Sequence, residues 1–177
     1  MTELAMESPL EAITVRAIAA RAGVGYATFF RHYPDKDALL ADVADRLIRE
    51  FLQRVAPLMQ EHDRGAAARS MCDFVMEHLA IYTSLLAGGS GETVRAEMLR
   101  QTLVTMTAAR GRAPESPFEE LVLFHMVSSI LNLLTWWLRN LDRIDAATVA
   151  EVMERTILTP ISTFRTHPPA GMAGPPN

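Results

Sequence analysis

Apolar residues recur at spacings of three or four along almost the whole chain, and this helical periodicity is the feature that most constrains its fold. Leu40, Val43, Leu47 and Phe51 show it clearly, because they fall on one stripe of a helix. No segment shows the sustained alternation of apolar and polar residues that is typical of a strand. A chain of 177 residues is long enough to bury a substantial core. The sequence therefore predicts an all-α protein.

Local start and stop signals divide the first half of this pattern into helices. Asp35 is a good N-cap after a proline, so a long helix is expected to begin there. Pro57 marks a kink or the end of that helix. Residues 66–86 form a second long apolar segment, and the stretch Gly88-Gly89-Ser90-Gly91 breaks it.

Two further helices are predicted towards the C-terminus. Ser116 and Pro117, with a glutamate at position 119, have the composition of a capping box, so a helix should run from Pro117 to about Arg139. Asp145 is the expected N-cap of the last helix. That helix should fade near Pro160, because proline cannot donate a backbone hydrogen bond.

The segment around residues 14–36 predicts two short helices joined by a tight turn. Thr14 can cap the first helix, and Gly23 follows its end, where a positive φ is needed. Val24 is expected to point back into a small core. A second helix should run from about Tyr26 to Tyr33 with one buried phenylalanine. This arrangement is the helix-turn-helix unit, whose second helix fits the DNA major groove.

The charge distribution agrees with DNA binding by this segment. The whole chain carries a net charge of −4, so any positive field must be local. Residues 14–36 contain Arg16, Arg21, Arg31 and Lys36 against Asp35 alone, a local charge of +3. A basic end on an otherwise acidic chain is what contact with phosphates requires.

The same segment resembles the TetR family of bacterial repressors, whose pattern is close to T-V-x-x-I-A-x-x-A-G-V-S-x-x-T-x-Y-x-H-F-x-x-K-x-x-L. The chain departs from it with Gly25 for serine, Phe30 for tyrosine and Tyr33 for phenylalanine. The matching positions are Thr14, Val15, Ile18, Ala19, Ala22, Gly23, Val24, Thr28, His32, Lys36 and Leu39.

The resemblance implies roles by position. Thr14 and Thr28 would bond phosphates, and His32 and Lys36 would clamp the DNA backbone. Phe30 lacks a hydroxyl that commonly contacts phosphate in the family, so binding to the DNA phosphates should be somewhat weaker than is usual in the family. The full set of predicted DNA-binding residues is Thr14, Arg16, Gly25, Tyr26, Ala27, Thr28, Arg31, His32, Tyr33 and Lys36.

Three parts of the chain follow from these signals. Residues 1–45 are predicted to be a helix-turn-helix DNA-binding domain, a three-helix unit with a short, acidic first helix. Either the true start lies upstream or this domain is trimmed. Residues 46–165 are predicted to be a helical effector-binding and dimerisation domain, and residues 166–177, rich in proline and glycine, a disordered tail.

The predicted helix from Pro117 is apolar on more than one face, so it must be covered on two sides. One side can face its own domain, and the other predicts a homodimer in which this helix and the one after Asp145 form a four-helix interface. An apolar surface that lies wholly inside a monomer is the alternative. The predicted interface residues are Val122, Met126, Ser129, Leu133, Trp137 and Val152.

A pocket for a small, mostly apolar effector is also predicted, because soft apolar residues alternate with isolated polar groups in the middle of the chain. Each of these residues is more often simply part of a core. The predicted lining is Met71, Phe74, His78, Tyr82, Met98, Gln101, Met106, His125 and Asn132.

Other classes of protein fit poorly. The chain has no glycine-rich phosphate loop, no G-x-S-x-G and no spaced metal ligands beside His78 or His125, so no enzyme, metal or cofactor is predicted. Cys72 is the only cysteine. Polar residues interrupt the apolar stretch Leu121–Leu138, which predicts a buried helix in a cytoplasmic protein without a membrane span. The alternative function is a helical ligand-binding dimer that has lost DNA binding.

Overall fold

The computed structural model describes residues 4, 12–87, 91–110, 114 and 116–166, and the regular elements in these ranges are helical. The all-α prediction is confirmed. In chain order the elements are α1 (Val15–Arg21), α2 (Tyr26–His32), α3 (Lys36–Gln60), α4 (Arg64–Glu77), α5 (Leu79–Ala87), α6 (Gly91–Arg110), α7 (Pro117–Leu138), α8 (Ala146–Met153), a π-helical turn (Glu154–Leu158) and α9 (Thr159–Thr166).

Asp35, Ser116 and Asp145, three of the predicted N-caps, start helices as expected. Asp35 accepts a hydrogen bond from the backbone N–H of residue 38 at 2.8 Å, and α3 follows it. Ser116 accepts one from the N–H of residue 119 at 3.3 Å, with Pro117 in the first turn of α7. Asp145 accepts one from the N–H of residue 148 at 2.8 Å. Each cap satisfies a backbone donor that the helix itself leaves unpaired.

The prediction of a single helix over residues 66–86 is wrong, because the chain forms two helices there. The first begins earlier, where the carboxylate of Asp63 accepts from the backbone N–H of residue 66 at 2.8 Å. At His78 the backbone leaves the helical region, with φ −119° and ψ 28°. The carbonyl of His78 then accepts from the N–H groups of residues 81 and 82 at the start of α5.

The prediction that the last helix fades near Pro160 is also wrong, since helix continues to Thr166. The π-helical turn Glu154–Leu158 explains the difference. It changes the hydrogen-bond register, so Pro160 is the second residue of α9, in the first turn where no N–H donor is required. Pro57 lies inside α3, which ends one turn later at Gln60. Of the predicted tail, residues 166–177, Thr166 is the last residue of α9, and residues 167–177 lie outside the described residues.

One large apolar core joins α3 to α9. Helix α4 packs against α8 and α3, while α7 packs against α5, α6 and α8. Trp137 is buried in this core, and its indole N–H donates to the carbonyl of Ile144 at 3.0 Å, which connects the end of α7 to the loop before α8. The largest fully buried side chains are Trp137, Leu131, Leu134, Met153, Leu158, Val75 and Cys72.

A second, smaller core holds the N-terminal helices together. It consists of Ile13, Ile18, Phe29 and Leu39, and Leu4 packs against it. Val43 of α3 packs against both this core and the large one. Helix α3 is therefore the element that joins the two cores.

In the described ranges, α7 is the one helix that is long and apolar enough to cross a membrane. Its most apolar 18-residue stretch has a mean hydropathy of 1.6, and 39% of that stretch is buried inside the protein. The core helix of a soluble protein passes the same test. One face of α7 is indeed packed in the large core, through residues such as Leu131 and Leu134.

Candidate nucleic-acid interface

The turn between α1 and α2 depends on the backbone of Gly23. Its φ is +66°, in the left-handed region, and its N–H donates to the carbonyl of Ala20 at 3.1 Å. The next N–H, of Val24, donates to the carbonyl of Ala19 at 3.0 Å. A Cβ added to Gly23 would meet no atom within 4 Å, so the requirement for glycine is conformational rather than steric.

The prediction that Val24 points into the small core is wrong, because its side chain is exposed. The turn carries Val24 past the end of α1, and the small core is closed by Phe29 and Leu39 instead. Apolarity alone does not decide whether a residue in such a tight turn faces the core or the solvent.

The second helix presents one face to solvent and buries the other. Gly25 is its N-cap, with ordinary extended backbone angles and no side-chain cap. Phe29 is buried against the small core. Tyr26, Ala27 and Arg31, all predicted DNA-binding residues, are exposed. The outward face of α2 is thus the face that could enter a groove.

The predicted phosphate-binding residues differ in exposure. The hydroxyl oxygen of Thr14 accepts from the backbone N–H of residue 17 at 3.2 Å, so its own O–H can still be donated. Arg16 and His32 are exposed, whereas Thr28 and Lys36 are half-buried. They are contributed by the start and body of α1, by α2 and by the start of α3.

Tyr33 has a role that the sequence did not predict. Its hydroxyl donates to the carboxylate of Asp42 on α3 at 2.9 Å, and Arg46 donates to the same oxygen at 3.3 Å. The hydrogen bond to Asp42, followed by burial, raises the pKa of Tyr33 above its usual value. The hydroxyl that could have reached a phosphate instead fixes the end of α2 to α3.

Phe30 is the residue of this surface that sequence reasoning left out of the predicted site. Its side chain is 43% exposed, although it is a large apolar ring. It lies one helical turn after Tyr26, and the two ring centroids are 5.0 Å apart in an edge-to-face arrangement. The spacing of four residues between two aromatic side chains was the available signal.

The predicted effector-pocket residues are not gathered in one place. Four are buried in the large core, His78 is half-buried, and His125 and Asn132 are exposed on α7. The side chain of Met106 lies outside the described residues. Gln101 lines a groove, described next. The four buried residues are Met71, Phe74, Tyr82 and Met98.

A groove of about 300 Å³ lies between α3 and α6. Gln101 is buried at its base, where its amide N–H groups donate to Asp45 and, at 2.8 Å, to Glu97. Its amide oxygen is buried without a partner. Hydrogen bonds from Arg100, and then from Gln101, lower the pKa of Glu97. The groove is lined by Asp45, Arg49, Leu52, Gln53, Ala56, Arg100, Gln101, Val104 and Thr105.

Among the described side chains, only two buried polar atoms lack a hydrogen-bond partner. One is the Gln101 amide oxygen, and the other is the hydroxyl of Tyr82, whose pKa is raised by burial. Both residues belong to the predicted effector pocket. A buried unpaired polar group lowers stability unless water or a ligand supplies its partner.

The predicted dimer residues divide between the core and the surface. Trp137 is 1% exposed and fills its own core, so it cannot contact a partner subunit in this conformation. Its neighbour Trp136 is 45% exposed. Val152 is exposed, and the remaining four predicted residues are half-buried. Those four are Val122, Met126, Ser129 and Leu133.

The outer face of α7 carries further large apolar side chains that sequence reasoning did not assign to the interface. Leu121 and Phe124 are both more than half exposed.

In the described part of the chain, no cluster of three or more histidine, cysteine, aspartate or glutamate side chains could hold a metal ion.

Comparison with known families gives one match. Residues 2–43 match the sequence model of the bacterial regulatory proteins of the tetR family. The matched region contains α1, α2, the turn at Gly23 and the start of α3. A comparison with curated proteins found no significant match.

Proposed function

We propose that residues 2–43, which match the model of the tetR family, form the DNA-binding domain of a transcriptional regulator, and that the chain is a repressor that binds a palindromic operator as a homodimer and responds to a small effector. The observation that carries this proposal is the exposed face of α2, held by the Gly23 turn within residues 14–36, a segment of charge +3 in a chain of net charge −4. We place this regulator in the cytoplasm and assign it no enzymatic activity.

Charge sets a limit on DNA binding that can be measured. Four cationic side chains per subunit lie between residues 14 and 36, so a dimer can neutralise about eight phosphates. The slope of log K against log salt should then not exceed roughly −7. Lys36→Ala should weaken binding to all sequences alike and make the slope shallower by about one to two. Arg31→Ala should in addition blur sequence preference if Arg31 reaches a base.

A matched control for these variants is Arg155→Ala, which removes an exposed cation far along the chain in the π-helical turn. It should leave both affinity and salt slope unchanged. Retained tight binding after deletion of residues 14–36 would show that α2 is not the DNA-binding element. A chain that binds effector but no DNA would support the alternative function, a ligand-binding dimer that has lost its DNA contact.

The homodimer is supported by the exposed apolar face of α7 and α8. Leu121, Phe124, Trp136 and Val152 are large apolar side chains that face solvent. Leaving so much apolar surface in water is unfavourable, and contiguous patches of this kind commonly mark interfaces. Pairing α7 and α8 with their copies would form a four-helix interface and place two recognition helices about 34–36 Å apart, one DNA turn.

Phe124→Glu and Trp136→Glu test the dimer, because each puts a charge on the exposed face without touching the buried one. Both should yield monomers in light scattering at micromolar concentration, and both should retain helical content. Phe124→Leu is the matched control and should remain dimeric. A wild-type chain that is monomeric at the same concentration would contradict the proposal.

Response to an effector is supported by the groove between α3 and α6. The partnerless oxygen of Gln101 accepts hydrogen bonds, so a ligand with an N–H or O–H donor could satisfy it. Leu52 and Val104 provide apolar wall on either side. A small molecule with a mostly apolar body and one or two donors fits this lining.

Calorimetry with and without operator DNA tests regulation by this ligand. Native mass spectrometry of the purified protein would first identify a copurifying molecule. An effector that favours the DNA-free conformation by about 1.4–3 kcal/mol lowers operator affinity by roughly 10- to 150-fold, and operator must then weaken ligand binding equally. Equal ligand affinity in both titrations would contradict regulation, and Gln101→Leu should weaken binding of the ligand to the DNA-free protein.

A further inference from the structure

The outward face of α2 carries an aromatic pair, Tyr26 and Phe30. Their side chains are 53% and 43% exposed, with the two rings in edge-to-face contact. Phe30 also contacts the ring of Phe29 at 5.3 Å, and Phe29 is buried in the small core. The Phe30 ring therefore packs between the ring of Tyr26 and the buried ring of Phe29, and these two contacts restrict its position on the helix.

This face offers few groups for hydrogen bonding. Arg31 contributes a guanidinium and Tyr26 a hydroxyl, whereas Ala27 and Phe30 contribute only carbon to solvent. In the major groove the only apolar group on the edge of an unmodified base pair is the C5-methyl of thymine. An apolar ring pressed into that groove gains most where it covers such a methyl group.

We propose that the Tyr26–Phe30 pair reads thymine C5-methyl groups in each operator half-site. This inference rests on the proposed DNA-binding function and specifies what the DNA must present. The surrounding charge of +3 attracts the polyanion, while the aromatic pair supplies the preference for thymine at one or two positions. Arg31 would provide the neighbouring hydrogen-bonded base contact.

The experiment starts with selection of a site from a random double-stranded DNA library, using the full-length protein. Each thymine of the selected site is then replaced by deoxyuracil, which removes only the methyl group. At one or two thymines per half-site, we expect about a fourfold loss of affinity, the effect of one apolar carbon returned to water. Substitution in both half-sites should cost roughly 15-fold.

Protein variants show whether the ring is responsible. Phe30→Ala should bind thymine and uracil sites equally, whereas Phe30→Leu, which keeps an apolar side chain, should still prefer thymine. Phe30→Tyr tests the other explanation, loss of a phosphate-binding hydroxyl: it should raise affinity for all sites without altering the ratio. If Phe30→Ala fails to fold by circular dichroism, Tyr26→Ser takes its place in the same comparison.

The outcomes separate the inference from the function on which it rests. A selected site whose affinity is unchanged by uracil at every thymine overturns methyl reading and leaves DNA binding intact. Discrimination that survives Phe30→Ala in a folded protein overturns the assignment to this pair. Phe30→Ala that lowers thermal stability but not affinity would mean that another part of the chain covers the ring, which also overturns it. Failure to enrich any site defeats both.

Discussion

The two adjacent tryptophans provide a sharp test of the packing around α7. Trp137 is 1% exposed, and its indole N–H donates to the carbonyl of Ile144 at 3.0 Å. Trp136 is 45% exposed and has the guanidinium of Arg143 above its ring at 5.9 Å. One sequence position thus separates a core residue from a surface residue of the same type, so each is the control for the other.

Trp137→Phe removes the hydrogen bond and leaves part of the indole volume empty. The lost hydrogen bond costs about 0.5–1.5 kcal/mol, and the incomplete filling of the site adds a cavity term of comparable size. The expected loss is about 1–3 kcal/mol in the free energy of unfolding. For a chain of this length each kcal/mol lowers Tm by roughly 2–4 °C. Trp136→Phe keeps an aromatic surface and should change stability by less than about 0.5 kcal/mol.

Urea denaturation followed by circular dichroism measures both effects, and fluorescence quenching adds an independent readout. Each variant retains one tryptophan. The Trp137 signal, in Trp136→Phe, should resist acrylamide at every protein concentration. The Trp136 signal, in Trp137→Phe, should be quenched when the protein is dilute and protected as dimers form. Equal stability losses in the two variants, or easy quenching of Trp137, would refute the assignment of Trp137 to the core.

Four further outcomes are expected, for two glycines, one cysteine and one tyrosine. Gly23→Ala should lower the free energy of unfolding by about 1–2 kcal/mol, because the φ of Gly23 is positive. Gly25→Ser should raise the free energy of unfolding by a few tenths of a kcal/mol, because serine adds an N-cap side chain to α2. Urea denaturation measures both effects. Burial raises the pKa of the Cys72 thiol to about 12 from 9.0, so at pH 8 iodoacetamide should modify it about a thousandfold more slowly than an unfolded thiol; rapid modification would show that the site opens. Tyr33→Phe should lower the free energy of unfolding by about 0.5–1.5 kcal/mol at pH 7. Because the Tyr33 pKa is raised in the folded protein, the extra stability of the wild type should be constant below about pH 10 and should fall as the pH rises through that raised pKa. A stability difference that is unchanged at high pH would exclude the hydrogen bond to Asp42 as its cause.

The parts of the fold that follow from local chemistry could be predicted from the sequence. Asp35, Ser116 and Asp145 start helices because a side-chain oxygen accepts a backbone N–H three residues on, which needs no distant partner. Gly23 ends α1 for an equally local reason, its positive φ. The π-helical turn Glu154–Leu158 left no such signal, because it alters only the register of backbone hydrogen bonds within a continuing helix.

Which face of a helix turns inward was harder to predict, most of all in α7. Its apolar residues surround the axis, so periodicity does not select one face, and packing against α5, α6 and α8 decides instead. His125 and Asn132 lie on the solvent side as a result, and Trp136 rather than Trp137 faces outward. The groove was missed because Asp45 and Gln101, 56 residues apart in sequence, meet only in the folded chain.

Two carboxylates one turn apart on α3 suggest how the groove and the DNA-binding face could be coupled. Asp42 accepts from Tyr33 at the end of α2, and Asp45 accepts from Gln101 on α6. A ligand that draws Gln101 away from Asp45 would release α3 from α6 on one side while Asp42 keeps it fixed to α2, so any resulting rotation of α3 would carry α2 with it. A double-mutant cycle tests this coupling. Asp45→Asn and Asp42→Asn should each change operator affinity, and effects that fail to add would show that the two carboxylates act together. Strict additivity would show that the groove and the recognition helix are held independently.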